Sequence, residues 1–214
     1  MANSSSSKIA ILDYGIGNLH SVQKAFEACG CAAGLVRSRD EILACDALVV
    51  PGVGSFGDCV ANVDRLGLRE AITAHVRSGK PYLGLCLGLQ ILFSGSEESP
   101  GRDGLGLFPG RVKKFDHGLK IPHMGWNTLS FASERRCPLL KGIEPGTYVY
   151  FVHSYYPAPE DREVIATTTD YGITFASALW CGPVMATQFH PEKSQRVGLK
   201  MIGNFIDFVG AATK

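Results

Sequence analysis

Cys86 lies in Gly84-Leu85-Cys86-Leu87-Gly88, where one apolar run ends and another, Leu89 to Phe93, begins with helical character. G-x-C-x-G is the thiol counterpart of a nucleophile elbow, in which glycines allow a strained strand-to-helix turn that leaves the nucleophile exposed above a sheet. At a helix N-terminus the positive end of the dipole favours thiolate. A buried cysteine in a glycine-punctuated core strand fits the same five residues. Far along the chain, Gln188-Phe189-His190-Pro191-Glu192 offers a base and a carboxylate. Pro191 biases His190 toward an extended backbone. Residues two apart then project to one side, about 6.6 Å from each other. Glu192 can therefore hold one imidazole nitrogen while the other serves a nucleophile, the pairing a catalytic cysteine requires. A loop histidine beside a solvated glutamate is the plainer reading. A third segment, Pro51-Gly52-Val53-Gly54, presents bare backbone amides that, with the amide of Leu87, suit an oxyanion; it also reads as an ordinary Gly/Pro turn.

These segments act together only if the fold brings them to one edge. Each follows an apolar strand, and in an open α/β sheet active sites gather at the carboxyl ends of the strands. Lys8 to Tyr14 reads as a strand followed by a helix from Leu19 to Cys29. The pattern recurs with a strand from Ala32 to Val36, a short helix near Asp40 to Ala44 and a strand from Ala47 to Gly52. A helix from Leu66 to Ser78 then precedes the strand Pro81 to Cys86. Continuous apolar strands alternating with helices indicate a mainly parallel sheet covered on both faces. The second half changes character: Arg111 to Phe115, Thr147 to His153 and Val164 to Thr168 alternate partially between Pro and Gly turns, which predicts antiparallel strands that extend the sheet or form a second layer. Val184 to Phe189 reads as the last strand and Gly198 to Val209 as a closing helix.

The 214 residues, 45% hydrophobic and 19% charged, suit one domain with a sizeable core. Lys+Arg 21 against Asp+Glu 20 leaves a formal charge of +1, so no global field recruits nucleic acid or an acidic membrane. The most apolar stretch, Tyr82 to Phe93, falls short of the ~20 residues of a spanning helix. Seven cysteines with no C-x-x-C pair point to reduced thiols and a cytoplasmic location. Residues 1–7, ending in four serines, have no secretory pattern and read as a disordered leader or an expression remnant.

Pro81-Tyr-Leu-Gly-Leu-Cys86-Leu-Gly-Leu-Gln90 together with His190-Pro-Glu192 resembles the class I, triad-type glutamine amidotransferases, from about Lys8 onward. The resemblance implies a flavodoxin-like α/β fold, an open and mainly parallel sheet with helices on both faces, forming one amidotransferase domain over residues 8–214. It implies glutamine hydrolysis by Cys86, His190 and Glu192, with no metal or organic cofactor. It further implies that Gly52, Val53, Gly54 and Leu87 border the oxyanion and that Gln90 binds glutamine. His153, Ser154 and Tyr155 match the segment that holds the substrate's α-amino and carboxylate groups. Gln90 also reads as a plain helix-surface residue, and the aromatic run around His153 as a strand end. His153 has no second ligand at metal-binding spacing. Asp13 to Asn18 does not complete G-x-G-x-x-G, which disfavours a dinucleotide site.

Within that class, Asp13-Tyr-Gly-Ile-Gly-Asn18, Pro122-His-Met-Gly-Trp-Asn127 and Gln188 to Gln195 resemble the glutaminase subunits of imidazole glycerol phosphate synthases. With one sheet domain occupying the chain, the ammonia acceptor is expected on another polypeptide. The likeness implies a heterodimer with a cyclase subunit of (β/α)₈ barrel fold. That subunit would receive ammonia through a protected tunnel and form imidazole glycerol phosphate and AICAR for histidine biosynthesis. Asn18, Met124, Trp126 and Asn127 would face it, although Trp126 and Asn127 could equally cap a turn. The alternatives are the glutaminase subunit of another synthase and a non-catalytic glutamine-sensing scaffold.

Overall fold

In the computed structural model, residues 8–116, 118–132 and 137–212 are described. The proposed leader, residues 1–7, lies outside them. In chain order the first half contains β1 (Ile9–Leu12), α1 (Leu19–Ala28), β2 (Gly34–Val36), α2 (Arg39–Ala44), β3 (Ala47–Gly52), α3 (Phe56–Arg65), α4 (Arg69–Arg77), β4 (Tyr82–Cys86) and α5 (Leu87–Gln90). The second half contains β5 (Gly110–Lys114), β6 (His123–Thr128), β7 (Ser130–Phe131), β8 (Tyr148–His153), β9 (Tyr155–Pro159), β10 (Ile165–Asp170), β11 (Thr174–Cys181), β12 (Val184–Thr187) and α6 (Gln195–Ala212).

The main sheet runs β2-β1-β3-β4-β12-β11-β10-β7. Neighbours from β2 to β12 are parallel. Those from β12 to β7 are antiparallel. Strands β1, β3, β4 and β12 are buried along their whole length, because a parallel strand covered on both faces leaves no side for polar residues. One core layer packs Val22 and Phe26 of α1 and Met201, Ile202 and Phe205 of α6 against one face; the other packs Ile42 of α2, Val60 of α3 and Ile72 of α4. The expected open α/β fold is therefore observed. The antiparallel strands take both anticipated forms: β11, β10 and β7 extend the sheet, while β5–β9 and β6–β8 stand as separate ribbons.

Among the differences from the sequence reading, three bear on the site and its surroundings. The Leu66 to Ser78 helix begins at Arg69, because Gly67 turns left-handed (φ +65°) after a separate helix, α3, that the reading omitted. The run Leu89 to Phe93 is helical only to Gln90, and Phe93 pairs with Phe108 in an isolated bridge. Trp126 and Asn127 lie within β6 rather than capping a turn.

Candidate active site

Three neighbouring strands end together. Gly52 of β3 lies in register with Cys86 of β4, and Thr187 of β12 with Leu85, so Gln188 and His190 emerge beside the cysteine. Cys86 has φ +53° and ψ −102°, a conformation that L-residues adopt only when surrounding structure imposes it. The glycines on either side explain how. A Cβ on Gly84 would lie 2.5 Å from the Gly88 carbonyl oxygen, and one on Gly88 would run into the Val50 carbonyl. The turn therefore fits against the sheet only when those positions lack side chains. Hydroxyls beneath it hold the frame: Tyr82 Oη donates to the Gly88 carbonyl at 2.7 Å, and Tyr14 Oη to the Pro51 carbonyl at 2.7 Å.

His190 Nδ1 and Glu192 Oε1 are 2.8 Å apart, with both side chains almost wholly buried. The extended backbone at His190 is as expected, but Glu192 sits in a 3₁₀ turn over Pro191–Lys193 rather than in a continuing strand. Ser194 fixes that turn, donating its hydroxyl to the His190 carbonyl at 2.7 Å and accepting from the Tyr150 amide at 3.0 Å. His190 Nε2 has no hydrogen-bond partner of standard geometry among the described residues and is left to interact with the Cys86 thiol. Burial works against the imidazolium. The charge and hydrogen bonding of Cys86, then those of Glu192, outweigh it and raise His190 to about 10. A raised His190 favours the protonated imidazole at neutral pH.

Cys86 opens into a cavity of about 220 Å³, lined also by Val53, Gly54, Leu87, Gln90, Glu98, Pro122, Val152, His153, Ser154 and Tyr155. That volume suits a molecule smaller than a drug-sized ligand. The amides of Val53 and Gly54 make no hydrogen bond among the described residues. Gln90 Nε2 donates to the Tyr155 carbonyl at 3.1 Å and to Gln188 Oε1 at 2.9 Å, and Gln188 Nε2 donates to Cys86 Sγ at 3.4 Å. Among the described residues, the buried side-chain polar atoms without a partner are Gln90 Oε1, His190 Nε2 and Glu192 Oε2. Unsatisfied groups are rare in folded proteins, and all of these belong to this site. No cluster of three or more His, Cys, Asp or Glu among the described residues is placed to hold a metal.

Every residue expected to hold substrate lies at this cavity except Gly52, which lies beneath Leu87 with no room for a Cβ. Both ring nitrogens of His153 are engaged within the protein. Sequence reasoning missed Glu98, which lines the cavity and accepts the Phe56 amide at 2.7 Å, and it gave no role to Gln188. Of the residues assigned to a partner face, Met124 is 62% exposed and Trp126 45%. Asn18 caps α1, and Asn127 directs its side-chain amide inward.

An elbow cysteine, a histidine bound to a carboxylate, and free amides at the ends of parallel strands suit a triad-type amidotransferase. The chain belongs to that family: the model described as glutamine amidotransferase class-I matches residues 10–208. It is 51% identical over 206 residues to imidazole glycerol phosphate synthase subunit HisH of Syntrophotalea carbinolica, covering 93% of this chain and 99% of the relative. It is 50% identical to the protein of the same name from Methanothermobacter thermautotrophicus, covering 95% and 100%. Among solved structures, PurLQS from Thermotoga maritima shares the fold, with a TM-score of 0.75 at 19% identity over 95% of this chain and 99% of that one.

Proposed function

We propose that the chain is the glutaminase subunit of an imidazole glycerol phosphate synthase, which hydrolyses glutamine and passes ammonia to a separate cyclase subunit. The buried His190–Glu192 pair facing an elbow cysteine carries this reading, supported by near full-length identity of about half to HisH proteins. The Cys86 thiolate attacks the side-chain amide carbon of glutamine. Amides of Leu87 and of Val53 or Gly54 take the oxyanion's charge. His190 Nε2 gives its proton to the leaving nitrogen, ammonia departs, and a γ-glutamyl thioester remains on Cys86. Water, deprotonated by the same nitrogen, then attacks the thioester and releases glutamate and the thiolate. Glu192 keeps Nε2 aimed at the sulfur and stabilises the imidazolium.

Gln90 and the 153–155 backbone bind the amino-acid end of the substrate, and Glu98 supplies a negative charge for its α-ammonium group. Met124 and Trp126 belong to the face that meets the cyclase, a (β/α)₈ barrel, in a heterodimer. The reading includes a cytoplasmic location, in keeping with seven unbridged cysteines. No helix among the described residues is long and apolar enough to cross a membrane. The test is co-purification with the candidate cyclase, followed by assay of glutamate release and cyclised product from glutamine. A complex that forms but hydrolyses no glutamine favours a glutamine-sensing scaffold. Hydrolysis without cyclised product assigns the chain to another synthase.

A further inference from the structure

Beside the cavity, β6 and β8 pair with His123 directly opposite His153. Both rings are buried, at 3% and 6% exposure, among Phe115, Phe151 and Phe175. The hydrogen bonds that link Asn127 to the Tyr155 carbonyl run in one direction. Asn127 Oδ1 accepts the Thr128 amide at 2.8 Å and Nδ2 donates to the Asp170 carbonyl at 2.8 Å, so the side-chain amide has only one orientation. Nδ2 also lies 3.2 Å from His123 Nε2, which must therefore accept. The proton of His123 is then on Nδ1, which donates to His153 Nε2 at 3.0 Å. His153 Nδ1 donates in turn to the Tyr155 carbonyl at 2.8 Å. That carbonyl is the one that receives Gln90 Nε2, and Gln90 leads through Gln188 to Cys86 Sγ. A second proton on either ring would set donor against donor. Burial, with the nearby His123 and His190, agrees with this by holding His153 down at about 3.

We propose that His123 and His153 are positioning residues of the catalytic site: a neutral, one-way hydrogen-bond chain anchored at Asn127 that sets the Tyr155 carbonyl, and through it the Gln90 and Gln188 amides, beside Cys86. Aromatic side chains alone would fill this space, whereas the imidazoles also fix the direction of every bond from Asn127 to the Tyr155 carbonyl, to which Gln90 donates from the other side. The outer end of the chain lies on the strand that exposes Met124 and Trp126. What the site acts on rests on the glutaminase reading above; the chain itself rests on geometry.

Side-chain ¹H–¹⁵N correlation spectra of the full chain at about pH 7 are expected to show both rings as Nδ1–H tautomers. An Nε2–H tautomer or an imidazolium at either position would overturn the proposal, whether or not the wild type hydrolyses glutamine. In the complex with the cyclase, His153→Phe keeps a ring but breaks the chain, and should raise the glutamine KM about 10-fold with a smaller change in kcat. His153→Asn, whose amide can reach the Tyr155 carbonyl, should restore KM to within about 3-fold of wild type. An unchanged KM in folded His153→Phe, or equal loss in the two variants, contradicts a positioning role. A wild-type complex without glutamine hydrolysis instead removes the glutaminase reading and leaves the spectra to decide the chain.

Discussion

A thiol becomes a working nucleophile when its proton has a fixed destination, and in the proposed mechanism His190 is that destination for Cys86. Cys86→Ala should abolish glutamine-dependent product formation while the complex still turns over with added ammonium salt at raised pH, since free ammonia bypasses amide cleavage. Equal loss of both activities would assign Cys86 a structural role. His190→Asn should be nearly as damaging, and Glu192→Gln less so, because the carboxylate orients and stabilises without transferring a proton. The protonation of His190 provides a second check. Removing Cys86 takes away the leading influence that raises His190, leaving burial opposed by Glu192, so its pKa should fall well below about 10. An imidazole titration of Cys86→Ala that matches wild type would contradict the ion pair. The cysteine, histidine and glutamate are legible in the sequence because each sits in a local motif whose geometry follows from its neighbours. Glu98 and His123 are not, because their partners Phe56 and His153 are brought to them only by tertiary packing and by the β6–β8 pairing.

At the scale of elements, the site depends on backbones approaching more closely than side chains allow. A methyl on Gly88 would meet the Val50 carbonyl, so Gly88→Ala should destabilise the protein by about 3 kcal/mol or more and displace the elbow. Gly203, within α6 with nothing near its missing Cβ, is the matched control: Gly203→Ala should be neutral or stabilise by up to about 1 kcal/mol. Denaturant melts of the two variants test the contrast, and similar losses at both positions would deny the elbow its special packing. Gly198 joins α6 to the turn bearing Glu192, because a methyl there would strike the Pro191 carbonyl. The parallel core was readable because β1, β3, β4 and β12 are apolar at nearly every position. Strands such as β6, which has mixed exposure, and β9, which contains Pro157 and Pro159, lack that pattern and form through pairing with β8 and β5.

For the molecule as a whole, the question is what would keep the proposed nucleophile from wasting glutamine when no acceptor is present. In the loop proposed to hold the oxyanion, the Pro51 carbonyl is tied to Tyr14 and Gly52 has no space around it, whereas the peptides at Val53 and Gly54, where Gly54 has φ +102°, lack such restraints. Rotation there would aim an amide toward or away from the oxyanion, and one misdirected donor costs about 10²–10³ in rate. Met124, Trp126 and Tyr148 leave an apolar strip beside the cavity, with Met124 paired to Val152 of its lining. A partner seated on that strip would border the cavity that Val53 and Gly54 also line. Trp126→Ala should weaken cyclase binding at least about 10-fold in titration calorimetry, and unchanged affinity would move the interface elsewhere. Steady-state glutamate release by the purified chain, measured alone and then with the cyclase and its nucleotide ligand, tests most directly whether hydrolysis waits for the acceptor subunit. A rise of at least about 100-fold is predicted, within reach of a single realigned donor. Full activity from the chain alone, or none from the complex, would contradict a glutaminase gated by its partner.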